Sequence, residues 1–433
     1  MAVHVGLIGF GTVGSGAVKT LLKNRELIEQ RAGTAVELKA VSDLDLETDR
    51  GVDLHGIHLT KDGWELIHDP NLDVIIELVG GTTIAKEFVT GALKQGKDVV
   101  TANKALLAKY GHELFQIAAQ ANRKIHFEAS VGGGIPIIQT MSGGLGSARI
   151  SEIHAIINGT CNYILTQMEE HERPFDEVLQ EAQQLGYAEL DPTFDIEGID
   201  AAHKITILAS LCFGTAVNFE NVYTEGIREI TVEDIKFGQK LGYRLKLLAI
   251  AKDLNGEIEV RVHPTFIPQE RLLASVRGVF NAVNTYADGL GSTILYGRGA
   301  GDFPTGHAVI SDVIQCARDS VARRPADYSH FYTQRKQVQS MHDVLTEYYM
   351  RFVVVDHPGV LAKIAGVLGD HGISILSVLQ TEKSSNSVCP VVFMTHRAKE
   401  GDVLHALEHI MDLDVVQGQP KLIRIEHMTS SLK

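Results

Sequence analysis

Through residues 1–130, short apolar runs alternate with stretches of helical periodicity. Val3–Ile8, Val36–Val41, Val74–Leu78, Asp98–Thr101 and Ile125–Glu128 read as strands, with helices over Gly14–Arg31 and Thr83–Gln95 between them. Parallel strands need long crossovers, so this alternation predicts a parallel sheet covered by helices on both faces. The expected class is α/β.

Residues 131–332 mix the two periods. Ile150–Ile157, Leu247–Ala251 and Glu257–Pro264 read as strands, and Pro174–Leu185, Ile199–Phe213 and Thr231–Leu241 as helices. The expectation is an α+β unit that holds the substrate and pairs subunits. Thr333–Asp343 lacks a strong apolar period, and a linker is placed over 333–345. Residues 346–433 read as a third unit. Its strands are Tyr348–Asp356, Ile373–Gln380, Ser387–Thr395 and Leu422–Glu426, the last entered just after Pro420. Its helices are Pro358–His371 and Asp402–Met411, and a polar loop, Glu382–Asn386, parts the middle strands. The order βαββαβ is a ferredoxin-like plan. Pro390 has no N–H to give a ladder and is expected at an edge or a bulge.

Composition excludes several classes. With 40 basic and 54 acidic residues in 433, the net charge is −14, wrong for a generic nucleic-acid or anionic-membrane binder. No apolar run reaches membrane-spanning length, and the start MAVHVGLIGF reads as a strand, not a signal peptide. Cys161, Cys212, Cys316 and Cys389 form no CxxC pair; reduced thiols in a cytoplasmic protein are expected.

Gly9-Phe10-Gly11-Thr12-Val13-Gly14 is GxGxxG between a strand and a helix. The first glycine permits the tight turn, the second lets backbone approach a pyrophosphate, and the third lets helix pack on strand. A Rossmann-like dinucleotide domain is therefore predicted for residues 1–130. At the end of the second strand, Asp43 suits the ribose hydroxyls of NAD, and Ser42 leaves that position without an arginine for a 2′-phosphate. Val79–Thr83 and Thr101–Lys104 also lie at carboxyl ends of strands, where open α/β sheets bind ligands.

The stretch from Ala182 to Lys204 carries a run of carboxylates. Gly186 ends one helix, and Pro192 delays the next. Asp200 and Lys204 then fall four apart on one helical face, beside apolar Ile205, Ile207, Leu208 and Leu211. A lysine buried there has its pKa lowered toward a range useful for proton transfer. The same spacing also fits a plain surface ion pair of small energetic weight.

Ala182, Gly186, Tyr187, Ala188, Asp191, Pro192, Asp195, Ile196, Gly198, Asp200 and Lys204 match, at every spacing, a signature of homoserine dehydrogenases. Thr101–Lys104, Glu128–Ile138, Asn158–Leu165 and Gly297–Thr305 resemble further segments of that family, in the same order, so the likeness spans residues 1–325. Asp356–Ile364 and Gly372–Ile375 resemble an ACT domain, a module that commonly binds amino acids. No kinase segment precedes the GxGxxG, so the resemblance is to the monofunctional bacterial form.

That resemblance implies a reversible NAD(P)H-dependent reduction of L-aspartate 4-semialdehyde to L-homoserine, in threonine and methionine biosynthesis. It implies catalytic roles for Lys204 and Asp200, and substrate contacts for Glu189, Asp195 and Lys104. Gly9, Phe10, Gly11, Thr12, Val13, Gly14, Asp43, Lys104 and Gly301 would meet NAD or NADP. A structural monovalent cation, Na+ or K+, would take oxygens from Glu128, Val131, Gly133 and Ile135. L-Threonine is the expected effector of the ACT domain, and a homodimer or homotetramer the expected assembly. An acyl-forming dehydrogenase would instead need a reactive cysteine, for which Cys161, beside Asn158-Gly159-Thr160, is the nearest candidate. A non-catalytic sensor, with both ligand domains used as switches, is the reading from another class.

Overall fold

The computed structural model describes residues 2–328, 334–380 and 388–429. Ala2–Ile8 (β1), Ala35–Ser42 (β2), His58–Thr60 (β3), Val74–Glu77 (β4), Asp98–Thr101 (β5) and Ile125–His126 (β6) form a parallel sheet in the order β3-β2-β1-β4-β5-β6. The order reverses between β1 and β4, which opens a crevice at their carboxyl ends. One face of this sheet is closed from far along the chain. Val309, Ile310, Val313 and Ala317 of the helix Asp302–Val321 pack with Ala17, Val18 and Leu21 of the helix Thr12–Lys23. The two backbones touch: a Cβ on Gly16 would stand 2.2 Å from the Asp302 carbonyl oxygen.

The second sheet holds Ile150–Ile156 (β7), Tyr223–Thr224 (β8), Tyr243–Asp253 (β9), Glu257–Pro268 (β10), Phe280–Ala287 (β11) and Gly291–Arg298 (β12). It continues through Gln337–Val338 (β13), Leu345–Val355 (β14), Ile375–Gln380 (β15), Val388–Thr395 (β16), Ala398–Lys399 (β17) and Val416–Ile425 (β18). Its main path is β12-β11-β7-β9-β10-β18-β14-β16-β15. The last four strands of that path belong to the βαββαβ unit. Its final strand runs parallel to β10, with Thr265 opposite Arg424 and Phe266 opposite Ile425. The C-terminal unit thus shares one sheet with the middle of the chain. Helices cover this sheet, and Ile205, Leu208 and Ala209 of Ile199–Phe213 share a core with Leu245, Leu247, Val260 and Val262.

Several expected elements differ. The helix expected over Gly14–Arg31 is two, Thr12–Lys23 and Arg25–Ala32, because Asn24 leaves helical geometry and caps the junction. The strand expected over Ile125–Glu128 stops at His126, since the Glu128 carboxylate turns back onto the amides of Ile138 and Gln139, both at 2.8 Å. The linker 333–345 is largely built into the fold. Val338 pairs with Ile258 of β10, Met341–Asp343 is a 3-10 turn, and β14 begins at Leu345; Thr333 lies outside the described residues. Pro390 stands instead in β16, a central strand, opposite Val353 and with no register shift there. Pro420 lies within β18, where Gly418–Pro420 bulge opposite Phe352. The bulge leaves the ladder without needing the absent N–H. Glu382–Asn386 and Ser387 lie outside the described residues.

A buried charge cluster fastens the seam between β10 and β18. Glu426, 6% exposed, accepts from Lys252 at 2.9 Å and from Arg261 at 3.0 Å. Arg261 is itself 2% exposed. Removing one partner of a buried pair leaves the other charge unpaired, at a cost of about 3–5 kcal/mol. Glu426→Ala should therefore lower the unfolding free energy measured by chemical denaturation by an amount of that order. A loss below about 1 kcal/mol, the range of surface pairs, would show the seam is held otherwise.

Candidate active site

The turn after β1 is shaped by what glycine lacks. Gly9 has φ +99°, and a Cβ there would sit 2.5 Å from the Leu78 carbonyl carbon. A Cβ on Gly14 would meet the Gly9 carbonyl oxygen at 2.2 Å, whereas Gly11 faces open space. Gly11 caps the helix Thr12–Lys23 without a side-chain bond. The helix N-terminus is therefore bare, the arrangement that receives phosphate. The Phe10 side chain is buried, and its amide donates to Asp43. The other Asp43 oxygen accepts from the Asp45 amide at 2.8 Å. Asp43 thus braces the turn.

Lys104 opens the helix Lys104–Ala121. Asn103 caps that helix by accepting from the Leu106 amide, and donates to the Gly81 carbonyl at 2.7 Å. Fully buried Glu77 accepts from the Thr101 hydroxyl at 2.7 Å and from the Val79 amide at 2.9 Å. These bonds tie the two strand-end loops together and aim Lys104 across the crevice.

Opposite lies the helix Ile199–Phe213, begun by Gly198 at φ +80°. Asp200 and Lys204 are 4% and 8% exposed, so the surface-pair reading fails. Lys204 Nζ donates to Asp200 Oδ2 and to the Ile157 carbonyl, each at 2.7 Å. Two of its three N–H donors are thus taken. Lys104 Nζ lies 3.0 Å from Asp200 Oδ1. The Asn158 amide donates to Asp195 Oδ1 at 2.7 Å and to Asp200 Oδ2 at 2.9 Å.

These contacts set the charges. Burial pushes Asp200 up, but Lys204 and Lys104 outweigh it and hold the carboxyl well below the ordinary range. Burial lowers the Lys204 ammonium; Asp200 opposes that shift and Lys104 adds to it. Burial, with Asp200 nearby, raises Asp195. The group forms one wall of a cleft of about 620 Å³, whose lining also includes Thr12, Val13, Gly133, Glu189 and Gly301. A lysine whose pKa burial lowers, an anion fixing its direction and a bare helix N-terminus share that cleft. Such a set can move a proton beside a bound nucleotide.

Residues 9–128 match the homoserine dehydrogenase NAD binding domain, residues 136–314 homoserine dehydrogenase, and residues 348–415 the ACT domain. A homoserine dehydrogenase of Neisseria gonorrhoeae is 45% identical over 431 residues, covering 98% of this chain and 99% of that protein. The chain belongs to the homoserine dehydrogenase family. Its members are NAD(P)-dependent oxidoreductases. The homoserine dehydrogenase of Pseudomonas aeruginosa is 42% identical over 433 residues, 98% of this chain and 99% of that one. A solved homoserine dehydrogenase from Thiobacillus denitrificans superposes with a TM-score of 0.94 at 43% identity, covering 99% of both chains. A hyperthermophilic archaeal homoserine dehydrogenase, solved in complex with NADPH, superposes with a TM-score of 0.62 at 26% identity, covering 73% of this chain and 98% of that one.

The residues compared with the family's cation site lie in one turn. Glu128 is 2% exposed and accepts only backbone N–H groups in the described contacts. Burial raises it, and the neighbouring buried Asp312 is raised further. Val131, Gly133 and Ile135 follow, with Gly133 at φ +55° packed on the Gly299 carbonyl. Two adjacent buried carboxyls without a cationic side chain among the groups that shift them fit a nearby monovalent cation.

Other predicted positions fall differently. Glu189 is exposed, on the loop fixed by the Thr160 hydroxyl donating to the Tyr187 carbonyl at 2.6 Å. Gly9, Phe10 and Gly14 shape the turn without lining the cleft. Cys161 cannot be the nucleophile of an acyl-forming enzyme. Its thiol is fully buried, lies 3.1 Å from the Asp195 carbonyl oxygen as a donor, and is pushed well above its ordinary range by burial. Sequence reading missed Asn158, Glu77 and Asn103. Asn158 had a signal, an asparagine just before a helix, but that signal speaks of a cap.

Asn158 is such a cap, accepting from the Cys161 amide at 2.8 Å, and it is also the bridge between two carboxylates. Asn158→Ser keeps a capping oxygen and removes both amide donors. Hydrogen bonds to charged groups carry about 1.5–3 kcal/mol. The variant should lose roughly ten- to a hundredfold in kcat while nucleotide affinity holds. Parent-like kcat would remove Asn158 from the site.

Proposed function

We propose that this chain interconverts L-homoserine and L-aspartate 4-semialdehyde with NAD or NADP. The observation that carries the reading is the buried Lys204–Asp200 pair on the wall of the cleft that also exposes Thr12 and Val13 of the nucleotide turn. The relative solved with NADPH supports a nicotinamide nucleotide in this cleft. When bound, the nicotinamide takes hydride from the reacting carbon or returns it.

In the oxidation direction, neutral Lys204 takes the hydroxyl proton as the carbon gives up hydride. In reduction, its ammonium gives that proton to the oxygen on which negative charge grows. Asp200 fixes the direction of the Lys204 N–H and partly restores its basicity. Glu189, exposed at the rim, receives the substrate α-ammonium. Asp195 and Lys104 hold the rest of the amino acid, which turns a bimolecular encounter into an oriented one. Thr12, Val13 and Gly301 form the nucleotide bed, on a turn that Gly9, Phe10, Gly11 and Gly14 shape. Asp43 and Ser42 favour NAD at the ribose, since no arginine takes the place of Ser42. Glu128, with the carbonyls of Val131, Gly133 and Ile135, holds Na+ or K+ as a structural ion. The ACT domain answers to L-threonine.

One assay tests these readings: homoserine oxidation followed by cofactor absorbance. Turnover with NAD exceeding that with NADP is expected, with a lower rate when L-threonine is added or when Na+ and K+ are replaced by tetramethylammonium. Lys204→Met should lower kcat by about 10²–10⁴-fold with a much smaller change in KM. Absence of turnover in folded parent protein would overturn the reaction. Each unresponsive arm would remove its own cofactor, effector or ion.

The pH profile follows from the charges. Oxidation requires neutral Lys204, so kcat should rise with pH through a lysine pKa that burial has lowered. Asp200→Asn removes the anion that raises Lys204, so the ascending limb of the residual rate should move to lower pH. Lys104→Gln removes a cation that lowers Lys204, so its limb should move to higher pH. Shifts in the same direction for both variants would assign the limb to another group.

A further inference from the structure

The short helix Thr193–Ile196, which carries Asp195, rests on a strand end gripped by the C-terminal unit. β8 lies parallel to β10, with Tyr223 opposite Arg261 and Thr224 opposite Val262, and the Glu225 amide donates to the Val262 carbonyl at 2.8 Å. One residue on, Gly226 has no room for a side chain. A Cβ there would stand 2.3 Å from the Ile196 carbonyl oxygen and 2.6 Å from the Glu197 Cα. The Ile227 amide donates to that same Ile196 carbonyl at 2.8 Å. A Cβ on Gly198, which starts the helix of Asp200 and Lys204, would stand 3.2 Å from the Thr224 methyl and 3.4 Å from the Glu225 carbonyl oxygen. Residues 196–198 are thus sandwiched between the 223–227 segment and the cleft. Asp195 precedes them directly, and Asp200 follows two residues later.

The 223–227 segment is held in turn by Arg424 of β18. Arg424 is 3% exposed and donates to Glu225 Oε2 at 2.5 Å and to the Tyr223 hydroxyl at 3.0 Å. Its Nε donates to Glu400 at 3.0 Å, and Glu400 also accepts from the Tyr348 hydroxyl at 2.9 Å. Glu400 and Tyr348 are fully buried in the βαββαβ unit. The Tyr223 hydroxyl closes the figure by donating to Glu225 Oε2 at 3.0 Å.

We propose that Arg424, acting through Glu225, is a positioning residue for Asp195 and Asp200, so that the C-terminal unit supports the site through the 223–227 segment. Arg424 touches neither cleft nor substrate. Its grip on Glu225 fixes Gly226 against Ile196–Gly198, and that contact sets where the two carboxylates meet Asn158 and Lys204. The inference rests on the reaction proposed above.

The test is made on the full chain in homoserine oxidation. Glu225 has a side chain 30% exposed, so Glu225→Ala leaves no deeply buried charge alone, and Arg424 keeps Glu400. The expected result is a kcat roughly tenfold lower, with the nucleotide KM and melting midpoint unchanged. The ascending limb of the kcat–pH profile should move to lower pH, because Lys204 loses part of its hold on Asp200. Glu225→Gln, which keeps an acceptor for Arg424, should recover most of the loss. Tyr223→Phe, a milder cut in the same figure, should move kcat and limb in the same direction should the alanine variant fail to fold. An active parent with variants within twofold of it in kcat and unshifted in pH would overturn the positioning role alone. An inactive parent would overturn the reaction and the role together.

Discussion

A carboxylate taken out of water must be given other charges, and Asp200 is where this chain meets that requirement. At 4% exposure it cannot rely on solvent, so Lys204, Lys104 and the Asn158 amide surround it. Those partners come from three separated stretches of chain. Lys104 stands at the end of β5, Asn158 just past β7, and Lys204 one turn along the same helix. Should the nucleotide unit and the middle of the chain drift apart, Asp200 would lose one of its two cations while staying buried. The cost would be several kcal/mol. The two units are accordingly stapled backbone to backbone. The helix Asp302–Val321 leaves the middle of the chain to close the parallel sheet, meeting Gly16 at Asp302 and the Ala17 amide at Gly306.

The same charges make the site chemically useful. A lysine buried alone would lose its proton readily and hold it poorly. A lysine paired with an anion in water would stay charged throughout the physiological range. Here burial and Lys104 pull Lys204 down while Asp200 pulls it up, and the balance is adjustable from either side. Lys104, which comes from the parallel-sheet unit, thereby lowers Lys204 across the crevice, and in the proposed reaction this would couple that unit to proton transfer. Geometry reinforces this, because the Ile157 carbonyl takes a second Lys204 N–H and restricts where the remaining donor can point.

How much of this was legible depends on the range over which each signal acts. The parallel sheet was legible because its apolar runs are continuous and its glycine turn has fixed spacing. Asp200 and Lys204 were legible because four residues on a helix define one face. The βαββαβ order was legible for the same local reasons. What was hidden is tertiary. Nothing local in Thr333–Asp343 announces that Val338 pairs with Ile258, because a two-residue strand borrows its stability from the sheet it joins. Pro420 lies inside a strand because the ladder bulges there and the missing N–H is not required, and Pro390 takes a place in a central strand opposite Val353. Asn158 looked like a cap and is one through its oxygen, but its amide hydrogens reach residues 37 and 42 positions away.

The shared sheet constrains how the C-terminal unit can influence the cleft. A module tied by a flexible linker changes its neighbour only by docking or leaving. Here the junction is a strand pair with Thr265 opposite Arg424, flanked by the buried partners of Arg261 and Arg424. A slip of one residue would turn Arg424 to the opposite face and strand Glu400 without its cation, so register change is forbidden on energetic grounds. Only movements that keep this register, such as small twists of the sheet about β10, would be compatible with these pairs. Those motions reach the cleft through the point where β10 carries β8, and β8 leads into Gly226, whose missing side chain lets it touch Ile196 and Glu197. A close backbone contact transmits a fraction of an ångström without absorbing it, since packed interiors deform little. For a carboxylate held by 2.7–3.0 Å bonds to two lysines, displacements of that size are enough to change which proton it stabilises.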